Sequence, residues 1–146
     1  MELLHEQFGA VFIPGAVLAE LKLEQSFRWA GLLNKALSDG WLEVKLIKNL
    51  PLVKSLSLEL HPGEAEALAL ATDLNLNMVV MDEHDGRVRA RVMGLRTIGV
   101  LGILLRAKKQ GNIPSLAVAM QDLRREIGFF ISDDLYHFIL HEAAKE

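Results

Sequence analysis

The sequence predicts an α/β fold, and three observations carry that expectation. Short apolar runs rich in β-branched residues, Ala10-Val-Phe-Ile13 and Asn77-Met-Val-Val-Met81, do not alternate, as strands buried on both faces do not. Longer runs with helical spacing separate them, which is the order of parallel βαβ units. The chain has 146 residues, 51% of them hydrophobic, enough for one domain with a core of its own.

Each element follows in order. Met1 to Gln7 reads as a helical fragment with Leu3 and Leu4 apolar. Ala10–Ile13 is a buried strand closed by Pro14, which suits the first turn of a helix running to about Leu23. Ser26 is a candidate N-cap for a helix carrying Phe27, Ala30, Leu33 and Leu37, with its end at Asp39-Gly40. Trp41 to Ile47 alternates and predicts a strand with one polar face, suited to a sheet edge.

Pro51 to Leu60 reads as a short helix or a turn. Glu64 to Leu74 is an Ala/Leu helix whose early acids suit its positive end. After the strand Asn77–Met81, Asp85 or Gly86 starts a helix to about Met93, and Gly94 ends it. Thr97-Ile98 is a last short strand, and Gly99 opens a helix to about Gln110. Gly111 to Pro114 is a turn, followed by helices over Ser115 to Ile127 and from about Asp133 to Ala144. One domain over 1–146 is expected, with a helical extension from about 112 to 146.

Composition excludes several classes of function. The longest apolar run, Ile98 to Leu105, is interrupted by two glycines and falls far below the ~18–20 residues of a membrane span. No secretory leader pattern opens the sequence, so a cytoplasmic location is the expectation. With no cysteine, disulfide scaffolds, thiolate nucleophiles and Cys-type zinc sites are out. A net charge of −3 argues against an overall basic nucleic-acid coat and leaves room for a local patch.

In parallel sheets the ligand site lies outside the carboxyl ends of the strands. Asp82 directly follows the apolar strand, Glu83 and Asp85 stand close behind, Glu64 opens the preceding helix, and Glu20 lies on the helix after the first strand. Carboxylates gathered at one edge call for a divalent cation, and Mg²⁺ or Mn²⁺ takes such oxygen ligands. The plainer reading is that strand-end acids cap the next helix and face water. Arg87, Arg89, Arg91, Arg96, Arg106, Lys108 and Lys109 make the stretch after Asp82 locally positive. Arg87 and Arg91, at i and i+4, share a helix face and are candidates for holding phosphates; a solvated helix face carries such charges too.

Gly63-Glu-Ala-Glu-Ala-Leu-Ala-Leu-Ala71, Val79-Val-Met-Asp82, and Gly99-Val-Leu-Gly102 with Ala107-Lys108 together resemble the PIN-domain superfamily, as does Phe12-Ile-Pro-Gly-Ala-Val-Leu-Ala-Glu20. The resemblance spans nearly the whole chain and rests on the order and spacing of these pieces. It implies a three-layer α/β/α domain with a short parallel sheet. It also implies a Mg²⁺- or Mn²⁺-dependent ribonuclease, in many members the toxin of a toxin–antitoxin pair, with homodimers common. Carried over by position, Glu20, Glu64 and Asp82 match the family's acids, with Glu83 and Asp85 as auxiliary metal ligands. Glu66, about 200° around the helix from Glu64, should point elsewhere.

One departure stands out: the family's first strand, with its first catalytic Asp, has no counterpart here, and no Asp precedes Asp39. Either coding sequence lies upstream, or a shortened relative closes its sheet differently, by dimer contacts or by direct pairing of the flanking strands. The functional expectation is a PIN-like ribonuclease or a truncated relative of impaired activity. The alternative is a non-catalytic module that binds RNA or a protein partner such as an antitoxin. A receiver-like phosphoacceptor role for Asp82 lacks the acidic pair it requires.

Other constellations are weaker. His137 and His141 have the i, i+4 spacing of a zinc pair without a third ligand and read as surface residues. Ser115 and Ser132 read as N-caps. Gly94, Gly99 and Gly102 form no nucleotide-binding loop. Trp29 and Trp41 suit a core or interface, and Phe129, Phe130 and Phe138 are expected to be buried.

Overall fold

The computed structural model describes residues 2–23, 27–126 and 132–144. Ser26, Phe129 and Phe130 lie outside these residues. By internal contacts the chain forms two compact units, Met1–Ile98 and Gly99–Glu146.

The first unit begins with helix α1 (Glu2–Phe8) and strand β1 (Val11–Ile13), followed by helices α2 (Gly15–Leu23) and α3 (Phe27–Asp39). Strand β2 (Leu42–Val44) pairs parallel with β1 in the register Val11↔Leu42 to Ile13↔Val44. The predicted strand Trp41–Ile47 is therefore shorter than its alternation suggests. Its partner sets the length, because the chain turns into α2 at Gly15, the next residue whose backbone would face β2. Around this pair Ile13, Leu33, Ala36, Trp41 and Leu42 form one core cluster. Trp41 is buried and stacks on His5 with ring centroids 5.0 Å apart.

Helix α4 (Leu50–Leu56) is capped by Asn49, whose side chain accepts from the Leu52 N–H at 3.1 Å. The ambiguous stretch after Pro51 is thus a helix that ends in a turn. Helix α5 (Pro62–Asp73) buries Ala65, Leu68, Ala69, Leu70 and Ala71, and its Asp73 carboxylate accepts from the Lys48 and Asn49 N–H groups. Strand β3 (Met78–Val80) pairs parallel with β4 (Arg96–Ile98) across helix α6 (His84–Val92). A second cluster, with Leu56, Leu68, Val79, Met81 and Ala90, packs around this pair.

The parallel βαβ reading holds, as two two-stranded sheets, β1-β2 and β3-β4, among the described residues. Direct pairing of β1 with β3 does not occur there. The consequence shows at Val80, which is 42% exposed although the run Asn77–Met81 reads as covered on both faces.

The second unit comprises helices α7 (Val100–Lys109), α8 (Leu116–Glu126) and α9 (Asp133–Ala143). Its core holds Ile103, Leu104, Ala107, Leu116, Met120 and Ile139. Ser115 and Ser132 are N-caps as predicted, each accepting a backbone N–H at 3.2 Å. Phe138 corrects the sequence reading: it is 58% exposed, because α9 turns the adjacent Ile139 inward, about 100° around the helix.

Candidate active site

Helix α2 packs against the start of α5 and brings Glu20 with it. The Glu20 carboxylate lies directly over Gly63: a Cβ there would stand 2.5 Å from Oε1 and 3.0 Å from Oε2. A side chain at 63 would displace it, so the bare backbone is what lets α2 seat its acid beside Glu64.

Glu64 occupies the third position of α5. Its Oε1 accepts from the His61 N–H at 3.2 Å, the carboxylate half of a capping box. The positive end of the helix favours an acid there. Its Oε2 is buried and has no hydrogen-bond partner. That oxygen lies against the first turn of α6, 2.8 Å from where a Cβ of Gly86 would be. Two glycines thus let Glu20 and Glu64 press against backbone, linking α2, α5 and α6.

Asp82 follows β3, in the loop that leads to α6. Asp82, Glu83 and Asp85 are all exposed, and Glu83 is the N-cap residue of α6 without a capping hydrogen bond from its side chain. Among the described residues no group of three or more His, Asp or Glu side chains is placed to hold a metal ion. The structure brings Glu20 and Glu64 to one place and sets Asp82 on the loop before α6. It does not gather the acids into a complete donor set.

An unpartnered buried carboxylate oxygen with a second carboxylate near it is suitable donor chemistry for a hard divalent cation. Two such groups fall short of what a catalytic site needs to hold one firmly. Among the described residues Glu20 and Glu64 make part of a donor set, suited to weak binding of such an ion.

Arg87 and Arg91 are both exposed on α6, whereas Arg89 between them pairs with Glu59. His137 and His141 are exposed, as expected of surface residues.

Glu66 has a role the sequence reading missed. It points away from Glu64, as its angle predicts, and its Oε1 accepts from the Ala16 N–H at 3.2 Å. The signal was present at the start of α2, where Pro14-Gly15 supplies no capping side chain for the free N–H groups.

A family model described as PIN domain matches residues 1–145. The chain belongs to the PIN-domain family. No curated protein and no solved structure gives a significant match to it. Membership covers α1 through α9, and the α/β architecture with short parallel strands agrees with it. It points to a nuclease-type module, and PIN domains typically use divalent metals. No helix among the described residues of this PIN domain is long and apolar enough to cross a membrane.

Proposed function

We propose that this PIN domain is a ribonuclease relative of impaired activity, acting on RNA phosphodiesters with Mg²⁺ or Mn²⁺. Glu20, Glu64 and Asp82 are its catalytic acids, and Glu83 and Asp85 are auxiliary metal ligands. Arg87 and Arg91 hold the RNA backbone, where exposed guanidinium groups suit phosphate. The observation that carries the reading is the unpartnered Oε2 of Glu64, with Glu20 seated over the adjacent residue, in a chain of this family. A cytoplasmic homodimer with an antitoxin protein as partner belongs to the same proposal.

The test is incubation of the purified chain with single-stranded RNA and Mn²⁺, with and without Asp82→Asn. Slow Mn²⁺-dependent cleavage that Asp82→Asn removes is the expected result. Cleavage that persists unchanged in the variant overturns the assignment of the site. The incomplete donor set favours one other reading, a non-catalytic module that binds RNA or a protein partner. RNA binding without cleavage at any Mn²⁺ concentration decides for that module.

A further inference from the structure

Helix α6 carries three kinds of side chain on adjacent strips of its surface. At about 100° per residue, Arg87 and Arg91 form one strip, Val88 and Val92 the next, and Arg89 stands beyond the valines. Val88 and Val92 are 43% and 72% exposed, so an apolar strip lies open between charged ones. Among the described residues neither Arg87 nor Arg91 is in an ion pair, whereas Arg89 pairs with Glu59 from the turn after α4.

Between α6 and that turn lies a cavity of about 400 Å³, lined by Glu59, His84, Asp85, Val88, Arg89 and Val92. It runs along α6 from His84 to Val92, about 12 Å at 1.5 Å per residue. Asp85 belongs both to this lining and to the acids after β3, so the cavity begins beside the candidate active site. The charges of Glu59 and Arg89 cancel and that of Asp85 is left over, which turns a phosphate away from the interior. A purely lipophilic ligand leaves the ion pair unused. A flat nucleobase suits both parts: its faces meet Val88, Val92 and the His84 ring, and its polar edge meets Glu59 and Arg89.

The ion pair joins Nη2 of Arg89 to Oε2 of Glu59. Among the described residues this leaves Oε1 of Glu59 and the other guanidinium N–H groups for a ligand. Guanine is the base whose edge matches them. Its Watson–Crick edge sets the N1–H and N2–H₂ donors side by side, for a carboxylate, next to the O6 acceptor, for a guanidinium. Adenine, cytosine and uracil each lack that pair of neighbouring donors.

We infer that the α6 cavity is a guanine subsite, in which Glu59 accepts from N1–H and N2–H₂ and Arg89 donates to O6. The inference rests on the proposed action on RNA and names the base that the strand presents beside the acids. Arg87 and Arg91, about 6 Å apart along the helix axis, carry the phosphates of that stretch on the other side of the valines.

The test is fluorescence anisotropy of the full chain with labelled octamers of uridine that carry one central guanosine, adenosine or inosine. EDTA is present throughout, so neither cleavage nor metal binding enters the reading. The guanosine octamer is expected to bind about tenfold tighter than the adenosine octamer. Inosine lacks the N2 amino group and should lose most of that preference. Glu59→Gln replaces an exposed carboxylate by an amide of the same shape and should keep the melting temperature. It should bring the three octamers within about twofold of one another.

A guanine preference that survives Glu59→Gln, or an inosine octamer that binds as well as the guanosine one, overturns the subsite. Equal affinity of the unaltered chain for all three overturns it as well, and leaves RNA held by its backbone alone with the nuclease reading intact. No binding to any octamer overturns both readings and leaves the cavity to a protein partner.

Discussion

Gly86→Ala is the sharpest test of how the site is assembled. A Cβ at this position collides with Sδ of Met81 and lies 2.8 Å from Oε2 of Glu64. Met81 belongs to the core cluster around β3 and is buried, so it has little room to yield. Forcing a methyl group into packed surroundings costs about 1–3 kcal/mol. Replacing Gly by Ala within a helix returns roughly 0.5–1 kcal/mol. The net expectation is a loss of roughly 0–2.5 kcal/mol by urea denaturation, against a gain at an unobstructed helix position. Gly31→Ala in α3 supplies the contrast, because nothing lies within 4 Å of its Cβ position and it is exposed. It should stabilise by roughly 0.5–1 kcal/mol. If Gly86→Ala stabilises the chain as Gly31→Ala does, the close seating of Glu64 and Met81 on α6 is wrong.

Three further expectations follow from named contacts. Glu66→Ala removes the acceptor that caps α2 and should cost about 0.5–2 kcal/mol in urea denaturation, whereas Glu66→Gln, which keeps an acceptor oxygen, should recover most of it. Leu68→Ala truncates a side chain with 0% exposure in the α5 core and should cost about 2–5 kcal/mol, read as a lowered thermal midpoint. Arg87→Ala and Arg91→Ala should each weaken RNA binding in fluorescence anisotropy without changing sequence preference. Each should lower the salt slope by about one if the residue holds a phosphate.

Local features read well from the sequence because local chemistry determines them. The runs at β1 and β3, the Ala/Leu helix α5 and the serine caps before α8 and α9 all lie where residue type and spacing place them. The length of β2 depends on where its partner strand gives way to α2, which its own alternation does not report. Phe138 was misread because hydrophobicity alone does not say which side of α9 meets the core; the burial of Ile139 does. The split into β1-β2 and β3-β4 depends on what lies between two strands far apart in sequence.

The acids were nameable from their positions, but their arrangement was not. Gly63 and Gly86 gave no signal as the seats of Glu20 and Glu64, since a close approach of carboxylate to backbone is a tertiary fact. Glu66 was assigned the right direction from its helical angle and no role, because its partner is 50 residues away.

Manganese-induced broadening of backbone amide signals in the labelled chain tests the central claim most directly, and it does so without requiring catalysis. The account predicts that substoichiometric Mn²⁺ broadens the amides around Glu20, Gly63–Glu64 and Asp82–Gly86 first, and that Asp82→Asn with Glu64→Gln removes the effect. Broadening centred on His137 and His141, or unchanged in that double variant, would contradict it.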